Sequence, residues 1–320
     1  MADVLVGVAG RIPMANDATT VTTSQRDFHK PQKERSLFQR VLVCSAVAMV
    51  LLLVGIFVTL VDKSMLSIRT FGLGFITGTT WDPLNGIFAG FPYIVGTVVT
   101  AVLALALSFP FGMSLAILLG EYYRYGWISN ILKNLVELLA GIPSIIYGFT
   151  ALFFLVPLVR QFEVSQGIQP AFGVSILSAT IVLSIMIIPY SASVAREIIQ
   201  LVPSMLKEAA YSMGATRFEV VRKIVLPYAR SGIAAGFLLS FGRAVGETMA
   251  VTMVIGNANT LAKSIFDPSN TMASIIANEF TEATTKIYLS SLIEIGLMLF
   301  IITVLFDLLG KYIINRMRMS

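Results

Sequence analysis

Cysteine, histidine and charge are all scarce in this chain of 320 residues, and each scarcity excludes something. The single cysteine, Cys44, can form no internal disulfide, and it lies in an apolar run where a lone thiol packs or faces lipid. The single histidine, His29, has no second histidine or cysteine near it, so no metal centre is expected there. Charged residues make up 13% of the chain, about half the ~25% usual in a soluble domain. No Gly-x-x-x-x-Gly-Lys-Ser/Thr run occurs, so the chain has no loop of the kind that cradles nucleotide phosphates. No signal peptide is expected either: Val4 to Gly10 is apolar but short, and no basic residue precedes it.

Apolar residues are abundant. They reach 56% of the chain, and the mean hydropathy is +0.82. A soluble core cannot absorb that much apolar surface, so the bilayer is the expected solvent. A membrane helix needs about 20 apolar residues. Candidate spans run over 41–61, 93–119, 138–159, 171–194, 231–255 and 287–309. The third is interrupted early by Gly141-Ile142-Pro143, and the fourth carries Pro189 near its end. The reading is an all-α membrane protein with six transmembrane helices: a polar tail over 1–40, flexible or interfacial, and a membrane domain over 41–315. With six spans both termini share one side, and Lys and Arg residues number 17 on that side against five on the other. The basic side is expected to be cytoplasmic. The loops over 62–92 and 256–286 are long enough to dock an external partner, though plain connection is equally allowed.

One cytoplasmic loop, about 196–230, is polar and basic between two apolar segments. It reads as two short helices at an angle. Pro203 suits a first helical position, Gly214 stops the first helix, and Thr216 with Glu219 forms a capping box for the second. Pro227 is expected to close the second helix before span five. Ala209 and Ala210 leave room for close approach of a partner, with Glu208, Arg217, Arg222 and Lys223 as charged rim residues. A generic amphipathic interfacial pair explains the charge but not the spacing.

Span five carries Arg243 and Glu247, and span six carries Glu294 and Asp307. Arg243 lies 13 residues beyond Arg230, so roughly 20 Å along a helix at about 1.5 Å per residue. A charge at that depth costs about 2.5–3.5 kcal/mol or more, which marks a pathway or an ion pair. Arg243 and Glu247 are four apart and are expected on one helical face, although Arg before Glu is the weaker order. Glu294 is the alternative partner. A guanidinium suits an oxyanion, since its planar fork donates parallel hydrogen bonds. Arg243, Glu247, Glu294 and Thr248 are therefore the candidate substrate path or gate. A structural ion pair is the plainer alternative.

Glu208-Ala209-Ala210, three residues, Gly214, nine residues, then Ile224-Val225-Leu226-Pro227 resembles the coupling loop of ABC-importer permeases. Gly242-Arg243-Ala244-Val245-Gly246-Glu247-Thr248-Met249-Ala250 narrows this to the permeases of phosphate-specific importers. Of their two branches it resembles the PstC-like one, since PstA-like chains continue Ala-Pro after Gly-Glu-Thr. Glu137 to Gly148, Pro170 to Gly173, Ile185 to Tyr190 and Ala277 to Phe280 agree, and the likeness covers about 40–315. It implies a type I ABC importer (MetI-like) permease fold in a bacterial or archaeal plasma membrane. It implies passage of inorganic phosphate into the cytoplasm, with Arg243 and Glu247 as the family's intramembrane charges. It also implies a PstA-like sister permease, a PstB-like ATPase dimer that holds ATP and Mg, and a PstS-like phosphate-binding protein outside. Glu208, Ala209, Ala210, Gly214, Arg217, Leu226 and Pro227 would couple to the ATPase. No cofactor is expected in this chain, nor any nucleic-acid partner, and it is not expected to be an enzyme. The alternatives are a permease for another oxyanion, such as sulfate or molybdate, and an ion-gradient transporter with Arg243, Glu247 and Glu294 as a proton relay.

Overall fold

A computed structural model describes residues 32–319, with side chains over 37–316. Most of the expected tail, His29 included, lies outside the described residues. Among the described residues there are twelve α-helices and no strand, only isolated bridges joining Asp82 to Ile87 and Gly256 to Ser269. Six helices are long and apolar enough to cross a membrane: Leu37–Phe71, Phe91–Tyr122, Ser144–Ser165, Ile176–Gln200, Arg217–Val245 and Lys286–Arg316.

Contacts divide the chain into residues 1–53 and 54–320. The first unit contributes the start of α1 (Gln32–Phe71), which begins nine residues before the expected span. Its side chains from Leu37 to Leu53 are all exposed, Cys44 among them, which is how an apolar helix meets lipid.

In the second unit, α2 (Gly74–Thr77) leads to α3 (Phe91–Ile117), which closes in a π-turn over Leu118–Tyr122. Small residues let α3 pack tightly on α6 (Ile176–Gln200): a Cβ added to Gly112 would come 2.7 Å from Ser191 Oγ. Ser175 caps α6 by accepting from the Ser178 N–H at 3.3 Å, so this span starts and ends later than expected.

The expected third span divides differently. Gly141 ends a separate helix, α4 (Trp127–Gly141), and the crossing helix is α5 (Ser144–Ser165). Pro143 causes the division: it is extended at φ −57° and ψ 136° and has no N–H to continue a ladder. Helix α4 is amphipathic, with Asn130, Lys133, Asn134 and Glu137 spaced at three and four.

Two long loops fold rather than merely connect. Phe75, Trp81, Phe88, Tyr93, Met272, Ile275 and Tyr288 form one buried cluster. Glu279, at the end of α11 (Met272–Glu279), accepts from Trp81 Nε1 and the Tyr288 hydroxyl, both at 2.7 Å, and from Asn259 Nδ2 at 2.9 Å. At the opposite end, Ala116, Ala195, Ile199, Ala210, Val220 and Val225 bury the polar loop's apolar side against α3 and α6. Helix α12 (Lys286–Met319), 34 residues long, closes the described chain.

Candidate functional site: a broken span and a bent lever

Span five is not one helix through to Ile255. Helix α9 (Leu226–Val245) stops at Gly246, and a six-residue helix, α10 (Met249–Val254), follows. Glu247 and Thr248 lie in the break. The expected shared helical face of Arg243 and Glu247 therefore does not form. Glu247 Oε1 instead accepts from the Ala250 N–H at 3.3 Å, at the start of α10. Each charge complements a helix dipole: the arginine sits in the last turn of α9, the carboxylate at the head of α10. Thr248 turns inward on the break, its hydroxyl donating to the Gly246 carbonyl at 3.3 Å.

Among the described residues Arg243 forms no ion pair with Glu247, Glu294 or any other carboxylate. Its side chain is exposed on the chain alone, and Tyr147 of α5 lies within its electrostatic reach. Glu294 is elsewhere: it is 2% exposed and sits beside Ser67 of α1, its Oε2 without a hydrogen-bond partner. Sequence spacing placed Glu294 at a similar depth to Arg243, but its side chain meets Ser67 of α1 instead. The span-six carboxylate nearest this level of α9 is Asp307: a Cβ on Gly242 would lie 4.0 Å from its Oδ1. Sequence reasoning noted Asp307 without assigning it to the site.

Within α10, Thr252 bonds Ser274 of α11 at 3.1 Å, and Ser274 donates to Asn257 Oδ1 at 3.1 Å. Gly148 of α5 approaches α10 so closely that a Cβ there would meet the Ala250 Cα at 2.8 Å. The break is thus held from two sides.

The polar loop forms the predicted elbow. Helix α7 (Ser204–Ser212) ends before Gly214, which takes φ +84°, the left-handed region that favours glycine. Thr216 and Glu219 form the capping box of α8 (Arg217–Val220). Two details differ from expectation. Pro203 is the cap residue, not the first helical one. Pro227 does not close α8: the helix continues through a π-turn at Val221–Val225 into α9, where Pro227 sits in the first turn. Proline is tolerated there because it comes where a ladder bond is already lost to the π-turn.

Glu208, Ala209 and Pro227 are exposed, while Ala210 and the half-buried Leu226 pack inward. Arg217, expected as a rim charge, is exposed and reaches back to span two, donating from Nη2 to the carbonyls of Glu121 at 2.7 Å and Tyr122 at 2.9 Å. The outward surface is mixed: Glu208, Arg222 and Lys223 are exposed beside Met205 at 77%, Met213 at 83% and Phe218 at 62%. Lys207, which sequence reasoning passed over, is buried and bonded to Glu121 of span two. Nothing in the local pattern distinguishes it from a solvated lysine.

Residues 108–319 match the family described as binding-protein-dependent transport system inner membrane component. The chain is 40% identical over 319 residues to the phosphate transport system permease protein PstC of Haemophilus influenzae, covering 94% of this chain and 99% of that one. It is 39% identical over 295 residues to the protein of the same name from Mesorhizobium japonicum, covering 88% and 90%. A probable phosphate transport permease PstC of Methanocaldococcus jannaschii is 34% identical over 268 residues, covering 79% and 84%. In three dimensions the chain is similar to one from the MetNI methionine ABC transporter in an inward-facing form, at TM-score 0.55 and 19% identity, covering 74% of this chain and 99% of that one. That likeness shows the type I ABC importer (MetI-like) permease fold. The helix break, the bent polar loop and these matches agree: the chain belongs to the family of inner membrane components of binding-protein-dependent transport systems.

Proposed function

We propose that the protein is a channel-forming permease subunit that passes inorganic phosphate into the cytoplasm, driven by ATP hydrolysis in a partner subunit. The observation that carries this reading is Arg243: a cation deep in span five, at a helix break, with no carboxylate paired to it among the described residues. An unpaired guanidinium in the membrane is costly unless an anion or water-filled path meets it. A phosphate oxyanion matches its fork of donors. The relatives named for phosphate transport support the substrate, and the family supports a binding protein and an ATPase as partners.

In this reading the exposed face of α7 and α8 receives the ATPase, a PstB-like dimer that holds ATP and Mg. A PstA-like sister permease covers the face that exposes Arg243. A PstS-like protein delivers phosphate to the folded loops around Glu279. Both termini and the elbow lie in the cytoplasm. Glu247 keeps the break open by capping α10, and Thr248 ties down its backbone.

Reconstitution of the full transporter in proteoliposomes tests this. ATP-dependent uptake of labelled phosphate that excess sulfate does not suppress is expected. Uptake indifferent to ATP, or suppressed equally by sulfate, contradicts it.

A further inference from the structure

Two ties converge on one short segment of span two. Lys207 Nζ donates to Glu121 Oε2, and the two side chains are 9% and 10% exposed. Arg217 Nη2 donates to the main-chain carbonyls of Glu121 and Tyr122, and its guanidinium lies 4.6 Å from the Tyr122 ring centroid. Lys207 is on α7 and Arg217 is on α8, so the ties come from both sides of the Gly214 elbow. The carbonyls are available because α3 closes in a π-turn and Tyr123 then leaves the helix at φ −116° and ψ 61°.

Burying an ion pair removes two charges from water, and the attraction returns that cost only in good geometry. Stability alone is thus a poor reason for this pair. A rigid, directional link is a better one. Its position supports that: Lys207 directly precedes Glu208, Ala209 and the exposed face of α7, and span two runs unbroken from there to Phe91. Near its far end, Thr97 Oγ1 accepts from the Met272 N–H at 2.9 Å. Met272 is the first residue of α11, whose Ser274 bonds Thr252 of α10, beyond the break.

We propose that Glu121 is the point at which the bent loop drives span two, with Lys207 and Arg217 as positioning residues for transport coupling. Force on the elbow then takes two routes. One runs along the continuous helix α8–α9 into the arm that carries Arg243. The other runs through Glu121 into span two, and by way of Thr97 and α11 to α10. The break opens or closes according to how the two routes move against each other. This rests on the function proposed above.

The test uses the complete reconstituted transporter. Glu121→Gln and Lys207→Met each are expected to lower phosphate moved per ATP by about tenfold, within the range of substitutions along a coupling route. Glu121→Asp is expected to retain most of the ratio, and the reversal Glu121→Lys with Lys207→Glu is expected to restore much of it. Uptake and hydrolysis falling in equal proportion, or a reversal no better than either single variant, overturns the proposal. A second arm does not depend on the substrate. Spin labels at Met205→Cys and Tyr123→Cys, both exposed positions, in a Cys44→Ser background report the distance from α7 to span two. That distance is expected to hold constant through the ATP cycle, and to vary once Glu121→Gln is added. A distance that varies without the substitution contradicts the link even where phosphate uptake is normal. A constant distance without phosphate uptake refutes the substrate and leaves the link standing.

Discussion

Glu247 Oε1 accepts a hydrogen bond from the Ala250 N–H at 3.3 Å, which ties the head of α10 to the segment just beyond Arg243. The carboxylate is spent on that cap, and the arginine four residues earlier is left to other company. The helix break is therefore built from three neighbours with separate duties: Arg243 at the end of one helix, Gly246 at the stop, Glu247 at the start of the next.

The first prediction concerns Arg243. Arg243→Gln keeps length and hydrogen bonding but removes charge. Phosphate uptake is expected to fall by about 100-fold, the order of a lost charge-assisted contact of ~2.7 kcal/mol. The yield of assembled transporter is expected to hold, since no ion pair among the described residues is broken. Arg243→Lys is expected to recover only part, because an ammonium lacks the fork. Normal uptake by the Gln variant removes Arg243 from the path.

The second separates the two membrane glutamates. Glu294 lies beside Ser67 of α1, with its Oε2 lacking a hydrogen-bond partner. Glu294→Gln keeps the shape of this buried side chain and is expected to leave uptake within about twofold, a change of under ~0.5 kcal/mol. Glu247→Gln is a weaker acceptor for the α10 cap and is expected to lower uptake several-fold. If instead the Glu294 variant fails and the Glu247 variant works, the proton-relay alternative gains over the anion path.

These two cases show what the chain disclosed unaided. The six crossings are legible because each needs a long apolar run, and composition cannot hide one. The elbow is legible because Gly214, Thr216 and Glu219 act through bonds within a few residues of themselves. The break was misread as continuous helix because Ala, Val and Met on either side of Gly246 suit a helix equally well. Its order of charges was the clue: Arg before Glu is poor within one helix and favourable across a stop. Lys207 was invisible, since its partner Glu121 is 86 residues away. That Glu294 does not pair with Arg243 was not legible, because depth follows from counting residues, whereas facing depends on how α12 is rotated against α1.

The third prediction concerns the elbow itself. A Cβ at Gly214 meets nothing within 4 Å, so any penalty there is conformational. At φ +84° a β-branched residue costs about 1–2 kcal/mol. Gly214→Val is expected to raise the ATP consumed per phosphate moved several-fold, and Gly214→Asn to do so much less, since asparagine tolerates that region. Equal coupling in all three proteins removes the hinge role.

The fourth tests how the break is held. At Gly148 an added Cβ would come 2.8 Å from the Ala250 Cα and 3.0 Å from Met253 Sδ. Backbone cannot yield as a side chain end can. Gly148→Val is therefore expected to destabilise the assembled transporter by about 1–3 kcal/mol, read as a lower midpoint on heating, and to lower uptake. An unchanged midpoint means α5 and α10 are not in firm contact.

Everything turns on a positive charge within the membrane admitting an anion when the bent loop moves. The most direct measurement is labelled phosphate uptake in proteoliposomes holding the full transporter, with and without ATP, for the native chain beside Arg243→Gln. The expected result is ATP-dependent uptake by the native chain and near-background uptake by the variant while its partner still hydrolyses ATP. Equal uptake by both chains, or native uptake that proceeds without ATP, contradicts the account.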